Sequence, residues 1–304
     1  MKPLVSVIIV SFNTRKLTIK SIKSAYASRG FKKGEIEVIV VDNHSADDTV
    51  AYLKANLPQV KLIINTDNRG FGGGNNQGAS IAQGKYLLLL NSDAFLSPDS
   101  LRTMVDLMDH RPDVVSVGPQ LRYLDGSIQA SAGYLPTPLR VMAWMWWLDK
   151  LPLVKKLFST PYHVFDLTWH KRDHYPDWLM GACIIFRKDE FLAAHGFDEQ
   201  IFMYAEEVEL YQRLYESLHK KVLFTTKTQV VHVKGVSTKK AHAYRLTCEL
   251  RGIEYLYQKH YPNLLWFIKF VINTGVIMRI VLFSIIPSHR GTLVEYKKFF
   301  RKAK

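Results

Sequence analysis

Two hydrophobic patterns alternate along the first part of the chain. Val5-Ser-Val-Ile-Ile-Val10 is a continuous, largely β-branched run that stops at Ser11-Phe12-Asn13, the pattern of a strand buried on both faces. Residues 14–28 then place Leu17, Ile19, Ile22 and Ala25 at helical spacing. Val38-Ile-Val-Val41 repeats the strand, Ser45 to Asn56 the helix, and Lys61-Leu-Ile-Ile64 supplies a third strand. A glycine loop, a helix over 75–83 and a fourth strand, Tyr86-Leu-Leu-Leu-Leu90, complete the series. Strands alternating with helices predict an α/β fold with a parallel sheet covered on both faces. In such sheets ligands gather beyond the carboxyl ends of the strands. After residue 118 the pattern loosens. Residues 134–176 are rich in Pro and aromatics around Met142-Ala-Trp-Met-Trp-Trp147, and a second ordered block runs from Trp178 to about His242. Residues 243–260 read as a helix, and the apolar stretch Leu264–Pro287 follows, broken by Lys269, Asn273 and Arg279.

The polar clusters stand at strand ends. Asp42 follows Val40-Val41 directly; it either caps the next helix or offers a carboxylate to the ring N–H of a pyrimidine base. In Asn68-Arg-Gly-Phe-Gly-Gly-Gly-Asn-Asn76, three consecutive glycines are expected to leave backbone N–H groups unshielded, with a helix behind them presenting its positive end to anions. The spacing is neither a phosphate loop ending in Gly-Lys-Ser/Thr nor a GxGxxG fingerprint. Asn91-Ser92-Asp93-Ala94 puts one acid after a very apolar strand, as a turn residue or as a ligand for the Mg²⁺ or Mn²⁺ that balances a diphosphate. Glu206-Glu207-Val-Glu209 holds three acids within four positions. On a helix Glu206 and Glu209 share a face and Glu207 points elsewhere, and such crowding suits a nearby cation or a general base. His232 sits inside the strand-like run Val230-Val231-His232-Val233, as a structural histidine or a ligand.

Composition narrows the setting. With 304 residues and 47% hydrophobic content, the chain can bury one large core or one core with an appendage. Cys183 and Cys248 make no disulfide framework, and Met1-Lys2-Pro3 leads straight into a strand, so a cytoplasmic location is expected. The net charge of +14 is uneven, because residues 241–304 carry eleven Lys/Arg against three acids, a net +8. Mixed with so apolar a stretch, this charge predicts an anionic membrane surface as partner rather than nucleic acid. Lys269 and Arg279 lie near one side of an ideal helix. The expected arrangement is therefore a helix lying in the interface, with both charges outward and Trp266, Phe267, Phe270 and Ile277 inward. Lys297, Lys298, Arg301 and Lys302 would then meet the headgroups, and the tryptophan cluster would be a second contact or part of the core. The competing expectation is a buried or homo-oligomer interface helix.

In this order the segments resemble glycosyltransferase family 2, and more narrowly its bacterial rhamnosyltransferase-like branch. The matching series is Val-Ser-Val-Ile-Ile-Val-Ser-Phe-Asn13, Val-Val-Asp-Asn43, the Asn68–Asn76 segment, Leu-Asn-Ser-Asp-Ala94, Trp178-Leu-Met-Gly-Ala-Cys183, Phe-Asp-Glu…Glu-Glu-Val-Glu, and His232 with Gly235 and Ser237-Thr238. The resemblance covers about residues 4–240. It implies a single Rossmann-like domain of the GT-A, nucleotide-diphospho-sugar transferase type with a mostly parallel sheet, over residues 1–242. Residues 1–118 form its nucleotide half and 119–242 its acceptor half, with 243–304 as the membrane-associating region. The implied activity is inverting transfer of a sugar, from dTDP-rhamnose or a UDP-sugar, onto a lipid-linked or polysaccharide acceptor. Asp42 matches the acid that reads the base, and Ser11, Asn13, Asn68, Arg69, Gly72, Gly73, Asn76 and Asn91 surround the nucleotide sugar. Asp93 matches the last acid of a DxD-type metal motif, reduced here to Asn-Ser-Asp, and His232 a histidine completing the Mg²⁺ or Mn²⁺ shell. Trp178, with Gly181, falls at the acceptor site. Glu207, with Glu206 as the alternative, stands where the family usually has the Asp that deprotonates the acceptor. The change from acid to Asn91 and from Glu-Asp-Val-Asp to Glu-Glu-Val-Glu leaves a catalytically silent nucleotide-sugar-binding protein as the second reading.

Overall fold

The structure, a computed structural model, describes residues 2–151, 160–233, 239–285 and 290–301. Gly235, Ser237, Thr238 and Lys302, and the end of the apolar stretch at Pro287, lie outside the described residues, as does the Arg301 side chain. Strands and helices run in the order β1 Val5–Ser11, α1 Arg15–Tyr26, β2 Ile36–Asp42, α2 Thr49–Asn56, β3 Lys61–Ile64, α3 Gly70–Ile81, β4 Tyr86–Leu90, β5 Ala94–Leu96, α4 Ser100–His110, β6 Val114–Arg122, β7 Ile128–Gln129 and β8 Ala132–Gly133. They continue with α5 Pro138–Met145, β9 Trp178–Leu179, β10 Cys183–Arg187, α6 Lys188–Ala193, α7 Glu206–Leu218, β11 Lys221–His232, α8 Lys239–His260, α9 Leu265–Ile285 and α10 Arg290–Arg301.

The chain divides into two compact units. The first comprises residues 1–132, 165–202 and 206–235, and the second 133–164, 203–205 and 236–304. The division differs from the boundary drawn at 242, because the Pro- and aromatic-rich segment groups with the C-terminal helices.

The first unit is built on one sheet with the order β3-β2-β1-β4-β10-β6-β11-β5, and β7 pairs with β6. β3, β2, β1 and β4 are parallel, as the alternating pattern predicts, and β6 and β11 are parallel to each other. β10 runs antiparallel to β4 and β6, and β5 antiparallel to β11, so the sheet is mixed. An apolar run such as Cys183–Phe186 reads the same in either direction when both faces are covered. The core lies against this sheet: Val5, Val7, Ile8 and Ile9 of β1 are fully buried. α4 meets the core with Leu101, Met104, Val105 and Met108, an i, i+3, i+4, i+7 stripe.

One expectation needs correction. The glycines of 72–74 are not a loop; α3 begins at Gly70 and runs through them. Their role is close approach. A Cβ at Gly74 would stand 2.9 Å from the Val10 side chain and one at Gly78 2.4 Å from that of Ile8, so α3 lies directly on β1.

In the second unit, α9 presents Ile268, Val271, Ile272, Gly275 and Val276 to the interior. Gly275 admits α5, since a Cβ there would meet Met145 Cβ at 2.9 Å. Arg279 departs from expectation: it does not face outward with Lys269 but is 5% exposed. Its guanidinium donates to the carbonyls of Met145 (2.6 Å), Gly275 (3.0 Å) and Trp144 (3.2 Å) and lies 4.4 Å over the Trp147 ring. It thus caps the carbonyl end of α5, where a cation is favoured, and burial holds its pKa below the usual arginine range. The tryptophan cluster is drawn inward as well, with Trp146 Nε1 donating to Thr274 Oγ1 at 3.0 Å.

Candidate active site

The rim at the carboxyl ends of β1, β2 and β4 collects the motifs, and hydrogen bonds stitch them into a row. Ser11 and Asp42 are partners in the parallel register, and the Asn43 amide donates to the Ser11 carbonyl at 2.8 Å. Asn13, in the left-handed region at φ 54°, joins the loops after β1 and β2: its N–H donates to Ser45 Oγ (2.9 Å) and its Oδ1 accepts from the Ala46 N–H (2.7 Å). Thr14 Oγ1 donates to Ser92 Oγ at 3.1 Å, tying the β1 loop to the turn that carries Asp93. The Asn91 N–H donates to the Ala182 carbonyl at 2.9 Å, tying that turn to the Trp178–Cys183 segment. The Gly181 N–H in turn donates to Glu207 Oε1 at 2.9 Å. Five motifs separated in sequence therefore meet in one continuous polar seam. Ser11 Oγ is committed to Thr18 Oγ1 at 2.8 Å, so Ser11 holds the start of α1 in place.

Asp42 is not the cap of α2, whose N-cap is Asp48. Its Oδ1 accepts the Ser45 N–H at 2.9 Å, whereas Oδ2 is enclosed and has no hydrogen-bond partner among the described residues. An enclosed carboxylate oxygen without a donor is costly, and an N–H on a ligand relieves it. Beside it a network of amides anchors α3, adding Asn65 and Gln77, which the sequence does not single out, to Asn43 and Asn68: Asn43 Nδ2 donates to the Gly70 carbonyl (2.8 Å) and Asn68 Oδ1 (3.2 Å), and Asn65 bonds both Asn43 and Gln77. The adjacency of Asn43 to Asp42 was the one available signal.

At the start of α3, Asn68 Oδ1 accepts the Gly70 N–H at 2.9 Å and Arg69 is half-exposed beside Asp67. Gly70 needs its glycine twice over: φ is +72°, and a Cβ would fall 2.1 Å from the Phe202 carbonyl. Gly72 abuts Phe197 Cβ and Gly73 abuts Arg69 Cβ. Asn76 clamps Phe197, accepting its N–H and donating to its carbonyl, both at 2.9 Å. Gly72, Gly73 and Asn76 thus position α3 and the chain before α7.

Asp93 and His232, 139 positions apart, are brought together by strand pairing: His232 is the register partner of Ala94, and the Val233 N–H donates to the Asp93 carbonyl at 3.0 Å. His232 Nε2 lies 3.2 Å from Asp93 Oδ1, with side chains 8% and 15% exposed. Nδ1 lies 3.0 Å from Gln129 Oε1. With the hydrogen on Nδ1, a neutral imidazole turns its Nε2 lone pair toward a carboxylate oxygen, an arrangement that a cation between them stabilises. Two ligands of a small octahedral ion at 2.0–2.1 Å stand roughly 3 Å apart, so the pair suits Mg²⁺ or Mn²⁺. No group of three or more His, Cys, Asp or Glu forms a metal cage among the described residues. The remaining positions of such an ion would fall to phosphate oxygens and water.

α7 sorts the acids as the helical spacing predicts. Glu206 and Glu209 are buried on one face. Glu209 is matched by Arg213, at 2.7 Å and through three hydrogen bonds, and Arg213 also holds the Gly196 carbonyl at 2.6 Å. That pair is structural. Glu207 turns instead to Gly181, where a Cβ would stand 2.7 Å from the Phe71 ring and 3.1 Å from Glu207 Oε1. Trp178 is 6% exposed, with Met180 N–H donating to the Ser131 carbonyl nearby.

A mixed sheet covered by helices, with its polar rim at the strand ends, is an α/β fold of the GT-A type. Residues 6–173 match the family Glycosyl transferase family 2, and the chain belongs to that family. Over 221 residues it is 28% identical to the N-acetylglucosaminyl-diphospho-decaprenol L-rhamnosyltransferase of Mycobacterium tuberculosis, covering 67% of this chain and 68% of that one. Among solved structures it resembles the mannosyltransferase PcManGT of Pyrobaculum calidifontis, in complex with GDP-Man and Mn²⁺ (TM-score 0.57, 13% identity, 99% of this chain and 86% of that one). It also resembles TarS of S. aureus in complex with UDP (TM-score 0.52, 16% identity, 83% of this chain and 65% of that one).

Proposed function

We propose that the chain is an inverting, divalent-cation-assisted glycosyltransferase of cell-surface glycan synthesis, moving a sugar from a nucleoside diphosphate onto a lipid-linked acceptor. The observation that carries this is the seam from Asn13 through Ser92, Ala182 and Gly181 to Glu207, which places Asp42, the Asp93–His232 pair and Glu207 along one rim. Asp42 Oδ2 accepts an N–H of the base. The positive end of α3 and Arg69 favour the diphosphate. Asp93 and His232 would hold the Mg²⁺ or Mn²⁺, which when bound offsets the charge developing on the diphosphate. Glu207 takes the acceptor hydroxyl proton as that oxygen bonds to the anomeric carbon. The carbon–oxygen bond to the phosphate breaks with its electron pair, and the configuration inverts. The relative that is an L-rhamnosyltransferase of a decaprenol-diphosphate-linked sugar supports rhamnose as the sugar moved and a prenyl-diphosphate-linked acceptor.

Thermal unfolding in the presence of dTDP-, UDP- and GDP-sugars, with and without Mn²⁺, is the direct test, because a ligand of the folded state stabilises it by mass action. A shift with dTDP-rhamnose that grows with Mn²⁺, and label transfer from that donor to a prenyl-diphospho-sugar, is the expected result. A shift without transfer to any acceptor would make the chain a silent binder, and no shift with any donor would end the reading.

The membrane belongs to the same proposal. One helical stretch, Pro262–Ile285, is long and apolar enough to cross a bilayer. α9 leaves Trp266 (70% exposed), Phe270, Ile277, Val281 and Ile285 on one outward stripe, with Lys269 at its margin, while α10 exposes Lys297 and Lys298. Folding Arg279 inward removes a charge that would oppose insertion. The expected result is sedimentation with anionic liposomes that weakens in high salt. Trp266→Ser, Phe270→Ser and Ile277→Asn together should cut the bound fraction's affinity at least about tenfold, since burying one large apolar side chain is worth roughly 1.5–3 kcal/mol. Wild-type protein left in the supernatant at low salt would assign the stripe to a subunit interface instead.

A further inference from the structure

We propose that Gln129 sets the tautomer of His232, keeping its hydrogen on Nδ1 so that the Nε2 lone pair faces Asp93 and the divalent cation. This rests on the metal-assisted reading of the site. Gln129 belongs to the two-residue strand β7 and is fully buried. Its register partner on β6 is Leu121, and Leu121 is in turn the partner of Val230 on β11. The three residues form a row across the sheet, and His232, two positions beyond Val230, shares the face of that row. The Gln129 side chain spans the row and places Oε1 3.0 Å from Nδ1. An amide oxygen can only accept, so Nδ1 must donate, and of the two neutral tautomers just one satisfies the contact. Metal-binding histidines are oriented in this way, through a hydrogen bond from the nitrogen that does not bind the ion.

Packing does not explain a glutamine at this place. Gln129 Nε2 is enclosed and has no partner among the described residues. A buried, unsatisfied amide costs about 1–3 kcal/mol that a methionine or leucine would avoid. The cost is understandable if the oxygen at the other end has a task. Backbone pairing to Ala94 and the 3.2 Å approach of Nε2 to Asp93 Oδ1 set where the ring is, but not which nitrogen holds the hydrogen.

Metal-free protein carrying isotope-labelled histidine reads the tautomer directly by long-range proton–nitrogen NMR at a pH where the imidazole is neutral. The His232 signal is identified by its loss in His232→Asn. The expected spectrum has a pyrrole-type Nδ1 and a pyridine-type Nε2. In Gln129→Met, which keeps the volume and removes the acceptor, hydrogen moves toward Nε2. The affinity for Mn²⁺ in the presence of UDP or dTDP, read by electron paramagnetic resonance, falls about 10–100-fold. Gln129→Glu keeps an acceptor at the same place and keeps the Nδ1–H form. Wild-type protein with its hydrogen on Nε2 would overturn the proposal, because the amide would then be reversed and His232 would donate to Asp93 as a purely structural bond. So would a folded Gln129→Met with unchanged tautomer. If the wild type binds no Mn²⁺ with either nucleotide, the metal reading fails, and the NMR spectrum still decides the role of Gln129.

Discussion

Glu207→Gln is expected to lower sugar transfer by about 10²–10⁴-fold, the usual contribution of a positioned general base, while donor binding survives. The substitution is close to isosteric, and its amide oxygen can still accept the Gly181 N–H that holds Glu207 Oε1 at 2.9 Å. What it removes is basicity at one atom. Binding should persist because the hydrogen bonds described at Asp42 and at the start of α3 are made by other residues. Single-turnover transfer, compared with the donor-induced thermal shift of the same variant, separates the two effects. Glu206→Gln is the informative control: Glu206 is buried on the inner face of α7 with Glu209, and its loss should appear as reduced stability more than as a slower chemical step. Should Glu206→Gln be inactive with normal stability while Glu207→Gln turns over, the base is one position earlier than proposed.

Asp93→Ala should remove nearly all transfer, and EDTA should do the same to the wild type until Mg²⁺ or Mn²⁺ is returned. A bound cation supplies several kcal/mol of transition-state charge stabilisation, so a loss of roughly 10³-fold or more is expected. The magnitude is large here because Asn91 takes the place of a second acid: the described residues offer one carboxylate and one imidazole, so losing Asp93 halves the protein's share of the ligands. His232→Asn should cost less, since an uncharged ligand contributes less to holding a dication. Full activity in chelator would remove the metal from the mechanism, and the Asp93–His232 contact would then stand as an ion pair that locks β5 to β11.

The two outcomes together distinguish chemistry from scaffolding. The Glu209–Arg213 pair has the charge and the burial of a site, yet Arg213 donates back into the fold, to the carbonyls of Ala194 and Gly196. Glu207, by contrast, lies at the end of the seam that begins at Asn13. Proximity to the seam, rather than acidity, is what marks the candidate base.

Local periodicity was enough to read the strands at 5–10, 38–41, 61–64 and 86–90, and the helices between them, from the residues alone. Both the pleat and the helical turn repeat within a few positions, so burial on one side leaves its mark in the sequence itself. The same reasoning placed Glu206 and Glu209 on one face, and put Asp42, Asn91 and Asp93 at strand ends where an α/β sheet binds ligands. Other features were not local and could not be read there. The antiparallel course of β10 and β5 depends on which strands pair, and a fully apolar strand carries no sign of direction. The start of α3 at Gly70 was hidden because a run of glycines reads as a loop until the sheet beneath it, Val10 and Ile8, is known to require the missing side chains. Arg279 looked like a surface charge until α5 presented its carbonyls and Trp147 its ring. Gln129 gave no signal whatever, in a two-residue strand within the least patterned part of the chain. Its contact with His232 spans 103 positions and exists only because β6 lies between β7 and β11. Periodicity reports which side of an element is buried; what it is buried against is a property of the pairing, and only the tertiary structure decides that.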